Sequence, residues 1–156
     1  MITIVVAHDT RRGIGKDGWM PWDLPEDLKN FRKLTLHHDI VMGRVTFAAM
    51  KKPLSERHTF VITKNESYTY QHKDVTVLHD LTSLLREYKG SDRTLMVCGG
   101  AAVYAQALPY ADDMWISLVD GEYEADTFFP PYDVQDFIIE SKERKDGFTI
   151  IHYIRK

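Results

Sequence analysis

The segment Ile14-Gly15-Lys16-Asp17-Gly18-Trp19-Met20-Pro21-Trp22-Asp23-Leu24-Pro25-Glu26-Asp27-Leu28-Lys29-Asn30-Phe31 constrains this chain more than any other. It reads as a glycine-containing loop, a Pro-Trp corner and the first turns of a helix. Proline lacks a backbone N–H, so Pro25 suits a first helical position, and Glu26 and Asp27 complement the positive end of the helix dipole. On a wheel of about 100° per residue, Leu24, Leu28 and Phe31 form an apolar stripe. Asp27 flanks that stripe, while Glu26, Lys29, Asn30 and Lys33 take the solvent side. An acid in a first turn is ordinarily explained by the dipole alone. Here Trp22, Leu28 and Phe31 set the carboxylate in apolar surroundings, which raise an acid's pKa and suit it to proton transfer.

The rest of the chain alternates short apolar runs with helical segments. Residues 2–7 are apolar on both faces and rich in β-branched side chains, as in a central strand of a covered sheet. Residues 40–43, 58–63, 75–78, 95–98 and 114–119 read as further strands. The first helix is expected to end near Leu36, a short helix follows Gly43, residues 81–88 form an amphipathic packing helix closed by Gly90, and residues 101–108 form the fourth. Lys145-Asp146-Gly147 between the apolar runs 137–141 and 148–154 is a hairpin signal, and it predicts an antiparallel pair at the sheet edge.

Bulk properties bound the function. A chain of 156 residues, 44% hydrophobic and 28% charged, suits one globular domain. A net charge of −3 leaves no basic footprint for nucleic acid. A lone cysteine, Cys98, excludes an internal disulfide framework and fits a reducing cytoplasm. The apolar start is too short for a membrane span and lacks the basic opening of a signal peptide. The histidines have no metal-ligand spacing, so no metal site is expected.

Two strand-to-helix turns carry glycine: Gly43-Arg44-Val45-Thr46-Phe47, and Gly99-Gly100 before Ala101. Such turns leave backbone N–H groups free for phosphate and let the backbone approach a ligand. Arg44, and Lys64 at the end of another strand, could add charge-assisted contacts. Each turn alone is equally a plain connection. Together they point to a phosphate-bearing ligand with a shielded carboxylate nearby.

Ile14-Gly15, Met20-Pro21-Trp22, Asp27, Phe31 and Thr35 stand at fixed spacing. With them come Met42-Gly43-Arg44 and Thr46, Pro53-Leu54 and Arg57, Gly99-Gly100 and Tyr104, and Asp126-Thr127 with Pro130. The pattern resembles that of dihydrofolate reductases and covers nearly the whole chain. The resemblance implies one α/β domain over 1–156, with a mixed, mostly parallel sheet of about eight strands, an antiparallel C-terminal hairpin and four flanking helices. It implies NADPH-dependent reduction of 7,8-dihydrofolate, with hydride reaching carbon 6 and a proton reaching nitrogen 5. It implies antifolates such as methotrexate and trimethoprim as ligands, and a cytoplasmic monomer.

The same resemblance assigns Asp27, Trp22, Met20 and Tyr104 to the catalytic centre. Substrate contacts fall to Val5, Val6, Leu28, Phe31, Met50, Leu54 and Ser117, with Arg57 gripping the glutamyl carboxylate. Cofactor contacts fall to Ala7, Ile14, Gly15, Gly43, Arg44, Val45, Thr46, Thr63, Lys64, Cys98, Gly99, Gly100, Ala101, Ala102, Val103 and Tyr104. The Gly-Gly pair carries a cis peptide in that family, and Asp126 matches an acid that helps hold the Met20 loop closed. Several positions depart from the commoner pattern. Ser117 replaces a threonine, Ala101 a third glycine, and Val45 and Ala102 stand where other members carry basic residues. Two alternatives remain at this level: a pyrimidine reductase of riboflavin synthesis with the same fold, and a non-enzymatic nucleotide-binding module.

Overall fold

The run that is apolar on both faces becomes an interior strand in the computed structural model, which describes residues 1–156. In chain order the strands are β1 (Ile2–His8), β2 (Gly13–Gly15), β3 (Asp39–Gly43), β4 (Thr59–Ile62), β5 (Val75–Leu78), β6 (Leu95–Val97), β7 (Asp113–Val119), β8 (Thr127–Phe128), β9 (Phe137–Arg144) and β10 (Phe148–Arg155). Eight of them form one sheet in the order β5-β4-β3-β6-β1-β7-β10-β9. The strands from β5 to β7 are parallel, and β10 is antiparallel to both of its neighbours. The expected antiparallel pair β9–β10 edges the sheet: β10 is the reversed strand beside β7, and β9 at the edge again runs with β7. β10 pairs with β7 over its length, from Phe148 on Val119 to Ile154 on Asp113.

Four helices cover the sheet: α1 (Pro25–Thr35), α2 (Arg44–Ala49), α3 (Leu81–Tyr88) and α4 (Ala101–Ala107). On one face Leu81, Leu84 and Leu85 of α3 and Val103 and Ala107 of α4 pack on Ile2, Ile4 and Val6. On the other, Phe31 and Leu34 of α1 and Phe47 of α2 pack on Val5, Ile40, Met42 and Val61. Each such side chain contributes about 1.5–3 kcal/mol when fully buried. Asp80 caps α3, accepting from the Ser83 N–H at 3.4 Å and the Ser83 hydroxyl at 2.6 Å. That cap is why the helix starts where its apolar period does.

The segment between β1 and α1, expected as a glycine-containing loop, is tied down. Its β2 pairs with β8 more than a hundred residues on. The Asp9 carboxylate, 0% exposed, accepts from the N–H groups of Arg11 at 2.9 Å, Gly13 at 2.8 Å and Tyr123 at 2.9 Å. A Cβ on Gly13 would come within 2.6 Å of the Ala125 side chain, so glycine is required for the two segments to approach. No helix is long and apolar enough to cross a membrane.

Candidate active site

A cleft of about 600 Å³ opens between α1 and α2, at the carboxyl ends of the parallel strands. Parallel sheets place ligand sites there because successive crossovers diverge and leave a crevice. Val5, Val6 and Ala7 of β1, Gly43 of β3, Thr63 after β4 and Cys98-Gly99-Gly100 after β6 reach it, and so does Ser117 of β7.

One end of the cleft is acidic within apolar walls. Asp27 enters from the first turn of α1 and is 7% exposed. Its Oδ1 accepts a 2.6 Å bond from the Ser117 hydroxyl. Burial pushes its pKa above the ordinary carboxylate value, and the Ser117 bond offsets part of that rise. Leu28, Phe31, Val5 and Met50 line the cleft around it. Leu28 is 49% exposed, so its flank of α1 faces the cleft rather than the core.

The other end is built from the glycine turns. The Gly43 N–H donates to the Gly99 carbonyl at 2.9 Å, which fastens the end of β3 to the turn after β6. The Gly99–Gly100 peptide is cis, and Gly99 has φ of +117°, a region open chiefly to glycine. A Cβ on Gly100 would sit 3.3 Å from the Thr46 hydroxyl. Bare backbone is thus exposed between two turns. Tyr104 backs the site: it is buried, its hydroxyl donates to the Val5 carbonyl at 2.8 Å, and burial raises its pKa well above the ordinary phenol value. The Cys98 thiol is pushed up to about 12 by burial, so it acts as a packing residue and not a nucleophile.

A shielded acid and glycine turns in one cleft fit a phosphate-bearing ligand held beside a buried carboxylate. The family model for dihydrofolate reductase matches residues 1–154. The chain belongs to the dihydrofolate reductase family. It is 35% identical to the dihydrofolate reductase of Staphylococcus aureus over 162 residues, covering 99% of this chain and 98% of that protein. It is 36% identical to that of Bacillus subtilis over 144 residues, covering 92% and 84%. Its structure is similar to that of dihydrofolate reductase from Enterococcus faecalis complexed with NADP(H) and RAB-propyl. The TM-score is 0.88 at 30% identity, over 100% of this chain and 96% of that one.

Most residues that the dihydrofolate reductase pattern nominates line the cleft, among them Met20, Ile14, Gly15, Arg44, Val45, Thr46, Lys64, Ala101, Ala102 and Val103. Four do not. Trp22 packs with Val119, Phe148 and Ile150, and meets Tyr123 edge-on at 5.4 Å. It is not among the residues that line the cleft, and its buried indole Nε1–H has no partner in the chain. Leu54, partly buried, packs against the same core cluster as Phe31 and Met50. Arg57 is 6% exposed; its Nε donates to the Ser55 carbonyl at 2.8 Å and its Nη1 to the Thr35 hydroxyl at 3.1 Å. Asp126 stands outside the cleft and accepts from the Asp17 N–H at 3.0 Å, while its own N–H donates to the Gly15 carbonyl at 2.9 Å.

Sequence reasoning missed Asn30, Ala49, Trp19 and Thr127, which also line the cleft. Asn30 was placed on the solvent side of α1 and lies on the cleft side instead. Leu24 leaves the stripe it was expected to share with Leu28 and Phe31, and packs in the Trp22 cluster. Thr127 adjoins Asp126, so the family pattern carried a signal for it; Asn30 had none.

Proposed function

We propose that this chain reduces 7,8-dihydrofolate to 5,6,7,8-tetrahydrofolate with NADPH, as the family implies, and that its residues divide the work as follows. The observation that carries this reading is the buried Asp27–Ser117 pair in the same cleft as the glycine cradle. Gly43, Gly99 and Gly100 line the cleft and fit a phosphate-bearing dinucleotide, because glycine lets the backbone come close to a ligand. NADPH, when bound, supplies the hydride that adds to carbon 6 of the pterin. Asp27 holds the pterin through its amino group and adjacent ring nitrogen. The proton affinity that burial gives this carboxyl favours protonation of nitrogen 5. The unpartnered Trp22 N–H is the donor for a water on that proton path. Val5, Leu28, Phe31 and Met50 hold the rings and exclude solvent, and Met20 closes over them. Arg57 grips the glutamyl carboxylate.

The deciding measurement is the loss of NADPH absorbance on adding dihydrofolate. Oxidation that methotrexate or trimethoprim blocks is the expected result. NADPH binding without oxidation would overturn it and favour the pyrimidine reductase of the same fold.

Arg44 and Lys64 take the adenosine 2′-phosphate, because Val45 and Ala102 supply no charge. Arg44→Ala is expected to weaken NADPH about tenfold and leave NADH nearly unchanged, given the strength of a charge-assisted bond to phosphate. Equal weakening of both, read by fluorescence titration, removes Arg44 from the 2′-phosphate site. The enzyme works as a monomer in the cytoplasm; gel filtration at twice the chain mass would overturn the monomer.

A further inference from the structure

We propose that Tyr68 is a positioning residue that seats the Arg44 guanidinium for the 2′-phosphate, a role that rests on the NADPH reading above. The Arg44 guanidinium carbon lies 5.7 Å from the centre of the Tyr68 ring. Most arginines of this chain are engaged elsewhere. Arg11, Arg32, Arg93 and Arg144 pair with carboxylates, and Arg12, Arg57 and Arg155 donate to carbonyl groups. Arg44 lines the cleft and rests on an aromatic face, with no ion pair or hydrogen bond to the chain.

That difference matters for anion binding. A carboxylate partner would neutralise the guanidinium and consume its donors. A ring face attracts the cation through its quadrupole and leaves the in-plane N–H groups free. Tyr68 therefore orders a long side chain without spending its charge, so less rotamer freedom is lost when phosphate arrives. The seat is built by the segment after β4, which no periodic pattern marks. Asn65 N–H donates to the Thr63 hydroxyl at 3.1 Å, Ser67 N–H to the Asn65 side chain at 3.0 Å, and Tyr68 N–H to the Asn65 carbonyl at 3.1 Å. These bonds turn the chain back toward α2, where Tyr70 meets Phe47 edge-on at 4.9 Å. With Val45 69% exposed and uncharged and Ala102 bare, placing the one arginine at this corner matters more than it would in a site with several cations.

The test is calorimetric affinity for 2′,5′-ADP and for 5′-AMP, which differ only in the 2′-phosphate. Tyr68→Leu is expected to weaken 2′,5′-ADP about two- to fivefold and leave 5′-AMP unchanged. Tyr68→Phe, which keeps the ring face, is expected to match the parent. In the Arg44→Ala background Tyr68→Leu is expected to have no further effect. Weakening of both nucleotides by Tyr68→Leu, or no weakening of either, overturns the role of Tyr68 while Arg44→Ala still separates the two. If Arg44→Ala fails to separate them, the 2′-phosphate assignment itself falls.

Discussion

The Asp27→Asn enzyme keeps its fold and its NADPH affinity, and at neutral pH it turns over about a hundredfold or more slowly, as expected on losing a proton donor. Its activity recovers as the pH falls and solution protonates the substrate. The carboxyl is 7% exposed, held by Ser117, and binds its proton more tightly than an ordinary acid because burial disfavours the charge. Steady-state rates from acid to neutral pH check the first claim, and an Asn variant as fast as the parent at neutral pH would remove Asp27 from the mechanism. The same burial fixes the sign of a stability effect. A carboxyl whose folded-state pKa is raised contributes stability that is present below the ordinary carboxylate range and lost as pH rises through the raised value. Asp27→Asn is therefore expected to melt higher than the parent at neutral pH, with the difference shrinking in acid. A lower melting temperature at neutral pH would mean that the charged acid is a net structural asset and not a functional cost.

Arg57→Leu is expected to raise the KM for dihydrofolate about a hundredfold with a much smaller change in kcat, because a guanidinium can hold a carboxylate with two charge-assisted bonds. Arg57 is suited to this by its pre-set geometry. Bonds to Ser55 and Thr35 fix its Nε and Nη1, the Thr35 hydroxyl itself donates to the Phe31 carbonyl at 2.8 Å, and Nη2 has no partner in the chain. Comparing dihydrofolate with 7,8-dihydropterin, which has no glutamyl tail, separates the grip from any disturbance of α1. Dihydropterin reduction should be unchanged. An equal loss for both substrates would reduce Arg57 to a structural brace.

The two sites differ in how far they could be read from residue order. Asp27 was legible because its apolar neighbours, a proline-started helix and the fixed spacing from Met20 to Phe31 lie within one short segment. The helix at 81–88 was legible for a similar reason: its apolar period and Gly90, which has positive φ, are both local. Asn30 was not legible. A wheel separates polar from apolar positions, but a helix beside a cleft has a third kind of surface, and Asn30 and the half-exposed Leu28 both lie on it. Trp22 shows the same limit, since its packing on Phe148 and Ile150 could not be read from adjacency in sequence.

By itself the sequence determined the eight strands of the main sheet, the four helices, the glycine turns and the family, all of which depend on residues a few positions apart. The tertiary structure decided that β10 runs reversed inside the sheet, that β2 pairs with β8, and that Tyr68 rests under Arg44. It also joined Asp27 to Ser117, ninety residues away along the chain. The physical reason is the range of the forces involved. Period, caps and turn residues act on neighbouring dihedrals, whereas cleft membership and hydrogen-bond partners are fixed only when distant segments bury surface together.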